Sequence, residues 1–159
     1  MDLSSSSQRD GLAVGAKGEN VTDPRTSKVI GSEVPLRVFL VEDSRSVRDR
    51  LTDFLTEPGI VDVIGFADTE TDAVRQLFAG DIDVAIVDIR LRAGTGIGVI
   101  ESVRSLEPAL RPTIVVLTNY AFPEFEAACR ERGADYFFDK SSQFGELKDL
   151  LHSIMRKRH

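Results

Sequence analysis

The strongest constraint on the fold is a pattern that occurs five times after Leu36: a short apolar run followed by an amphipathic segment with helical spacing. The runs cover residues 38–41, 60–66, 84–87, 113–117 and 135–138. The third and fourth runs are continuously apolar, which is typical of parallel strands covered on both faces. We therefore predict a doubly wound α/β domain of the flavodoxin-like type, with five helices and a five-stranded parallel sheet in the order 2-1-3-4-5.

Helix boundaries are indicated by capping residues, prolines and glycines. The first helix is expected over residues 44–56, and the second begins with Asp68 or Thr69 as its cap and ends at Gly80. Pro123 suits the first turn of the fourth helix, which is expected to end near Arg132. The inward faces of the first two helices are predicted to carry Val47, Leu51, Phe54 and Leu55, and then Val74, Leu77 and Phe78. Before the third helix, a flexible loop is expected to contain Gly94, Gly96 and Gly98.

The chain divides by composition into two parts. Residues 1–34 hold four consecutive serines, scattered charges and isolated apolar residues without a period, so we predict a mobile polar tail there. A short element at residues 28–30 is only weakly indicated. Residues 35–159 are predicted to form the folded domain.

Composition and charge exclude several classes of protein. The 159 residues carry a net charge of −6, which argues against nonspecific nucleic-acid binding through the bulk surface. No apolar run approaches the roughly 18 residues that a membrane span needs, and residues 1–10 lack the pattern of a secretory signal. With one cysteine, Cys129, no disulfide can form within the chain, and a buried thiol is favoured. We expect a cytoplasmic protein with no membrane insertion.

Polar residues follow the apolar runs where four of the predicted strands end. They are Glu42, Asp43, Asp88, Thr118 and Lys140. Because the carboxyl ends of parallel strands share one edge of the sheet, these side chains are expected to converge in one cleft. Carboxylates packed together repel one another unless a cation lies between them, and hard oxygen ligands favour Mg²⁺.

The same residues suggest phosphoryl transfer. A metal held by Asp43 and Asp88 would draw a phosphoryl group onto a carboxylate oxygen. Thr118 could then hydrogen-bond one phosphoryl oxygen, and Lys140 could neutralise another.

Four segments together resemble the receiver domain of response regulators in two-component signalling. They are Val38 to Asp43, Val87 to Leu91, Val116 to Thr118 and Ala134 to Ser141, and the resemblance covers about residues 36–157. It implies that Asp88 is the phosphoacceptor, that Asp43 binds the metal directly, that Glu42 acts through water, and that the Arg90 backbone carbonyl completes the ligands. It also implies a sensor histidine kinase or histidine phosphotransfer protein as phosphodonor, with only self-catalysed phosphorylation and dephosphorylation as activity.

Switching and tuning residues follow from the same resemblance. Inward movement of Thr118 would open space for Phe137, the aromatic residue three positions before Lys140, and so reshape the face formed by the fourth helix, fifth strand and fifth helix. Arg90 and Tyr120 are candidates for tuning the lifetime of the phosphoryl group, with solvated loop positions as the equal alternative. Phe137 could also be an ordinary core aromatic.

Two features depart from the commonest pattern of the family. Lys140 is followed by Ser141, where proline is frequent, and Thr118 by Asn119, where a small residue is usual. The larger side chain of Asn119 is expected to affect the rate of phosphorylation rather than its occurrence.

Two other functions remain as alternatives. A phosphatase of the haloacid-dehalogenase type would need an acidic residue at position 90, where the chain has arginine. A pseudo-receiver adaptor would not need the intact acidic set. Since the chain ends soon after the last helix, we expect output through a downstream protein target without direct nucleic-acid contact. A homodimer is one of the oligomeric states that the sequence allows.

Overall fold

The computed structural model describes residues 34–158, in which five strands alternate with five helices. The elements are β1 Leu36–Val41, α1 Arg45–Leu55, β2 Val61–Ala67, α2 Glu70–Ala79, β3 Val84–Val87, α3 Gly96–Val103, β4 Thr113–Thr118, α4 Pro123–Arg132, β5 Tyr136–Asp139 and α5 Phe144–Lys157. A short 3-10 helix at Pro108–Leu110, which the sequence pattern did not predict, precedes β4. The tail predicted over residues 1–34 and the weak element at 28–30 lie outside the described residues, apart from Val34, so both stay predictions.

The five strands form one sheet in the order β2-β1-β3-β4-β5, and every neighbouring pair is parallel. This confirms the predicted flavodoxin-like fold. The chain leaves β1 toward β2 on one side and returns to β3 on the other, so the topological switch point lies between the carboxyl ends of β1 and β3. Ligands of doubly wound sheets bind at this point.

The sheet is covered on both faces. Along β1, Phe39 and Val41 join a core with buried residues of α2, α3 and α4. Val38 and Leu40, between them, join a second core with buried residues of α1 and α5. Since successive side chains of a strand point to opposite faces, a strand between two helical layers is mostly apolar on both faces, as in β3 and in residues 114–117 of β4.

Three helices begin at a side chain that accepts a hydrogen bond from the first turn. Ser44 accepts from Val47 N at 3.3 Å, and Thr69 accepts from Asp72 N at 3.2 Å. Thr95 does the same at the start of α3. Of the two predicted caps for α2, the structure therefore has Thr69 rather than Asp68. These caps satisfy backbone N–H groups that have no partner within the helix.

The predicted flexible glycine loop is wrong in its extent. Helix α3 starts at Gly96 and includes Gly98, and only Gly94 precedes it, with φ +75°. Gly96 is buried, and a Cβ atom there would overlap the backbone carbonyl of Asp88. The glycine at 96 therefore permits close packing against the end of β3 rather than mobility.

Two residues predicted to lie in the core are more than one-third exposed. Phe54 has an exposed fraction of 37% and Phe78 of 46%. Phe54 instead packs at the surface against Phe144 in a tilted arrangement, with ring centroids 5.7 Å apart. The prediction of a buried thiol is confirmed for Cys129, and burial raises the pKa of this group. None of the helices between residues 34 and 158 has the length and apolar character that crossing a bilayer requires.

The adjacent residues Leu77 and Phe78 give a matched test of this packing. Leu77 is buried on α2, so Leu77→Ala should lower the free energy of unfolding by about 2–5 kcal/mol. Phe78→Ala, at an exposed position, should lower it by less than about 1 kcal/mol. Urea denaturation of both variants measures the difference, and equal losses would contradict the assigned helix face.

Candidate functional site: an acidic pocket at the switch point

The pocket is built from residues at the carboxyl ends of four consecutive strands of the sheet, β1, β3, β4 and β5. Glu42 and Asp43 follow β1, Asp88 follows β3, and Lys140 follows β5, while Thr118 is the last residue of β4. Glu42, Asp88 and Thr118 are buried, and Asp43 is exposed. The polar strand ends that the sequence analysis selected therefore lie along one edge of the sheet, at the switch point.

Lys140 joins the two buried carboxylates. Its Nζ lies 2.8 Å from Glu42 Oε1 and 2.8 Å from Asp88 Oδ2. The three side chains are 7%, 4% and 9% exposed, so water screens these contacts weakly. One ammonium thus bridges the ends of β1, β3 and β5.

The pKa values of Lys140 and Glu42 are both raised within this triad. Burial lowers the pKa of Lys140, but the hydrogen bonds and charges of Asp88 and Glu42 outweigh it, so the pKa is raised. Burial raises the pKa of Glu42, against the opposing effects of Lys140 and the Ser44 N–H group. The pKa of Glu42 is thus raised mainly by burial, whereas the pKa of Lys140 is raised by the two carboxylates that it contacts.

Backbone donors orient both buried carboxylates. The N–H of Ile89 donates to Asp88 Oδ1 at 2.7 Å, and the N–H of Ser44 donates to Glu42 Oε2 at 3.0 Å. Together with Lys140, these donors engage both oxygens of each carboxylate. Asp43 differs, because no hydrogen bond to its carboxylate is found among residues 34–158.

The acidic set has the chemistry of a site for a hard divalent cation. Glu42, Asp43 and Asp88 each offer one carboxylate oxygen, and these oxygens lie within 4.8 Å of one another. Oxygens around Mg²⁺ with bonds of about 2.1 Å lie about 3–4 Å apart, so a small contraction would suffice. The donor set therefore fits Mg²⁺, with Asp43 as the ligand least engaged elsewhere.

Thr118 lies beside the triad without joining it. Its hydroxyl accepts a hydrogen bond from the Tyr120 N–H at 3.1 Å, and in the described part of the chain none connects it to Asp88. Its backbone carbonyl accepts from the Lys140 N–H at 2.9 Å, which fixes the end of β5 to the end of β4. Phe137, three residues before Lys140, is buried against Val116 in the core beneath α4.

Arg90 and Tyr120 come together across two loops. The guanidinium carbon of Arg90 lies 4.8 Å from the centroid of the Tyr120 ring. Arg90 is exposed and Tyr120 half-buried, so the stacked pair lies where the loops after β3 and β4 meet. Such cation–π pairs contribute about 0.5–1 kcal/mol at exposed positions.

Two residues that position Glu42 were missed from the sequence. Ser44 was expected only within the first helix, yet its N–H fixes the Glu42 carboxylate. Arg48 donates to the Glu42 backbone carbonyl at 2.9 Å and also stacks on Phe66 at 3.9 Å. The spacing of Ser44 two residues after Glu42 could have suggested the first contact, whereas the second depends on the orientation of α1.

Fold and pocket place the chain in the class of doubly wound α/β domains with an acidic pocket at the switch point. Residues 38–152 match the family described as the response regulator receiver domain. The chain therefore belongs to this family, whose members are signalling switches that a histidine kinase phosphorylates on an aspartate in two-component systems.

Relatives of known function agree with this assignment. The DNA-binding transcriptional activator DevR/DosR of Mycobacterium tuberculosis is 37% identical over 119 residues, which cover 75% of this chain and 54% of that protein. The transcriptional regulatory protein CusR of Escherichia coli is 29% identical over 122 residues, covering 77% of this chain and 52% of that one. The chain thus spans about half the length of these relatives.

A solved structure confirms the fold. The signal receiver domain of the response regulator NarL from Mycobacterium tuberculosis superimposes with a TM-score of 0.68 at 25% identity. The match covers 77% of this chain and 97% of that domain.

Loss of the bridging ammonium should destabilise the domain. In Lys140→Met, Glu42 and Asp88 face each other without their counter-charge, so we expect the free energy of unfolding to fall by about 3–5 kcal/mol. Lys148→Met is the matched control, because that ammonium lies over the Phe54 ring at the surface, 4.8 Å from its centroid, and within residues 34–158 it forms no ion pair with Glu42 or Asp88. Similar urea midpoints for the two variants would contradict the importance of the bridge.

Proposed function

We propose that Asp88 accepts a phosphoryl group from a phosphohistidine on a sensor histidine kinase or a histidine phosphotransfer protein. The observation that carries the proposal is a buried, oriented Asp88 carboxylate between Lys140 and a cluster of acidic oxygens. A carboxylate oxygen of Asp88 forms the bond to phosphorus as the phosphorus–nitrogen bond of the donor breaks. The nitrogen of the donor histidine keeps the electron pair of that bond.

The side chains around Asp88 suit the charge that develops in this step. Lys140 already touches Asp88 Oδ2, so its ammonium is in reach of an oxygen of the incoming group. Thr118, buried at the end of β4, would give its hydroxyl to a second phosphoryl oxygen. Such fixed donors stabilise transferred charge without reorganisation, which is the main contribution a protein makes to phosphoryl transfer.

The proposed cofactor is Mg²⁺. Asp43, Asp88 and the Arg90 backbone carbonyl would bind it directly, and Glu42 through water. Both Glu42 oxygens already accept hydrogen bonds from Lys140 and Ser44, which favours the indirect role. When bound, the ion supplies positive charge next to the phosphoryl oxygens.

Residues at the mouth of the pocket are proposed to set the lifetime of the phosphoryl group. The stacked Arg90 and Tyr120 lie on the two loops that flank Asp88, and Asn119 is exposed beside them. A pair that shields the aspartyl phosphate from water would slow its hydrolysis. The chain would then act as a timed switch, with self-catalysed phosphorylation and dephosphorylation and no turnover of other substrates.

Output is proposed to pass through the face formed by α4, β5 and α5 to a downstream protein. Lys140 follows β5 directly, and Phe137 lies within it, so movement at Asp88 and Thr118 has a short path to this face. Phe122, 54% exposed at the start of α4, offers an apolar contact there. The absence of direct nucleic-acid contact and the cytoplasmic location stay predictions, and a homodimer stays one of the states that the sequence allows. The names of DevR/DosR and CusR describe regulators of transcription.

Intact-mass analysis tests the phosphoacceptor directly. After incubation with Mg²⁺ and acetyl phosphate, the wild-type chain should gain one phosphoryl group, and Asp88→Asn should gain none. Asp139→Asn is the matched control, since the Asp139 carboxylate also lies at a strand end but bonds Ser141 and, among residues 34–158, forms no hydrogen bond with the triad, so it should be modified like wild type. An adduct on both wild type and Asp88→Asn, or on neither, would refute the assignment. Hydrolysis of a phosphomonoester would favour the phosphatase alternative instead.

The role of Phe137 in switching is tested by measuring phosphorylation and partner binding separately. Phe137→Ala should leave acceptance of the phosphoryl group nearly unchanged, because Phe137 lies in the core and takes part in none of the hydrogen bonds that hold the Asp88 carboxylate. The variant should lose most of the difference in partner affinity between the free and phosphoryl-analogue-bound forms. Calorimetry with the downstream partner measures this difference. Equal affinities of wild type and variant in both forms would rule the role out.

A further inference from the structure

The connection between β3 and α3 is bonded to the segment that starts α2. The Glu70 N–H donates to the Ala93 carbonyl at 2.9 Å, and the Arg92 N–H donates to the Asp68 carbonyl at 3.1 Å. The Arg92 side chain adds an ion pair to the Asp68 carboxylate at 3.0 Å. Residues 68–70 thus hold the outer part of the loop that begins at Asp88.

The Glu70 side chain reaches farther along this loop. Its Oε1 accepts a hydrogen bond from the Thr95 N–H at 2.9 Å. A Cβ atom at Gly94 or at Gly98 would overlap the Glu70 side chain. Gly94 and Gly98 therefore leave the space in which the Glu70 carboxylate lies. The hydrogen bond between Glu70 and Thr95 depends on both glycines.

Thr95 is in turn paired with Arg90. The two residues form an antiparallel bridge, and next to it the Gly96 N–H donates to the Ile89 carbonyl at 2.8 Å. Because the loop closes on itself through this pairing, a contact that fixes the Thr95 backbone also restricts the backbone of residues 89 and 90.

We propose that Glu70 is a positioning residue for the Arg90 backbone carbonyl, acting through the Glu70–Thr95 hydrogen bond and the Thr95–Arg90 bridge. The inference rests on the proposed function, in which this carbonyl is a ligand of Mg²⁺. Affinity for the ion then depends on a side chain from the neighbouring β-α unit that does not touch the ion itself.

Two simpler roles of Glu70 can be distinguished from the positioning role by two substitutions, Glu70→Asp and Glu70→Gln. As an acid in the first turn of α2, it would stabilise the helix through the macrodipole. As a negative charge near the pocket, it would attract a cation over a distance. Glu70→Asp keeps the charge but withdraws the acceptor by about 1.5 Å, the length of one carbon–carbon bond. Glu70→Gln removes the charge but keeps an acceptor oxygen at the same reach.

The test is Mg²⁺ titration of the full chain by isothermal calorimetry, for wild type, Glu70→Asp, Glu70→Gln and Asp72→Ala. Asp72 is the matched control, because it lies in the same helical turn and, in the described part of the chain, its side chain bonds Gln76 and Arg75 and its N–H bonds the Thr69 cap, with no bond to the loop after β3. Since one hydrogen bond is at stake, Glu70→Asp should weaken Mg²⁺ binding about fivefold. Glu70→Gln and Asp72→Ala should remain within about twofold of wild type on the same reasoning.

Urea denaturation of the same four proteins separates positioning from stability. Asp72→Ala should lower the free energy of unfolding without weakening Mg²⁺ binding. If the first turn of α2 affected Mg²⁺ binding only through the stability of the domain, the two quantities would fall together. Wild-type affinity in Glu70→Asp, or equal losses in Glu70→Asp and Glu70→Gln, would overturn the positioning role while leaving the proposed function intact. A wild-type chain that does not bind Mg²⁺ at millimolar concentrations would overturn both.

Discussion

The contact of one lysine ammonium with two buried carboxylates organises this domain. Lys140 Nζ lies 2.8 Å from Glu42 and 2.8 Å from Asp88, so the ends of β1, β3 and β5 meet at a single charge. Burying two carboxylates away from water is energetically unfavourable. The penalty falls when hydrogen-bond donors and a cation contact them. The parallel topology brings the strand ends together, and the backbone donors of Ser44 and Ile89 complete the arrangement. A site with more acidic than basic groups is poised to take up further positive charge.

The same arrangement explains how a local chemical change can reach a distant surface. Lys140 directly follows β5, Phe137 lies within that strand, and the Lys140 N–H is bonded to the Thr118 carbonyl at the end of β4. A new charge on Asp88 would compete for the ammonium and for the Thr118 hydroxyl, and both changes would act on one short strand. The loop after β3 is instead held from the side of α2, by Asp68 and Glu70. In our account the contacts of Asp68 and Glu70 hold the loop after β3 in place, whereas the contacts of Lys140 and Thr118 change when Asp88 is phosphorylated.

Much of the fold and most of the pocket were predictable from sequence, because both depend on local patterns. The continuous apolar runs of β3 and β4 predicted a sheet covered on both faces, and polar residues at strand ends predicted the convergence of Glu42, Asp88 and Lys140. Helical spacing placed Phe54 and Phe78 on a face but could not tell whether another element covers them, and none does so fully. Glycines such as Gly96 and Gly98 are typical of mobile loops, and no local pattern shows that Gly96 packs against the Asp88 backbone or Gly98 against Glu70. The hydrogen bond from Thr95 to Glu70 spans 25 residues and two elements, beyond the reach of any local pattern.

The central claim is that the acidic pocket binds Mg²⁺ and a phosphoryl group together, with Asp88 as the attachment point. A crystal structure of the full chain with Mg²⁺ and beryllium trifluoride, a phosphoryl mimic, tests it most directly. We expect the fluoride complex on an Asp88 oxygen, in contact with Lys140 and the Thr118 hydroxyl. The ion should be bound by Asp43, Asp88 and the Arg90 carbonyl. A fluoride complex on another carboxylate, or an ion outside the pocket while Lys140 still bridges Glu42 and Asp88, would contradict the account.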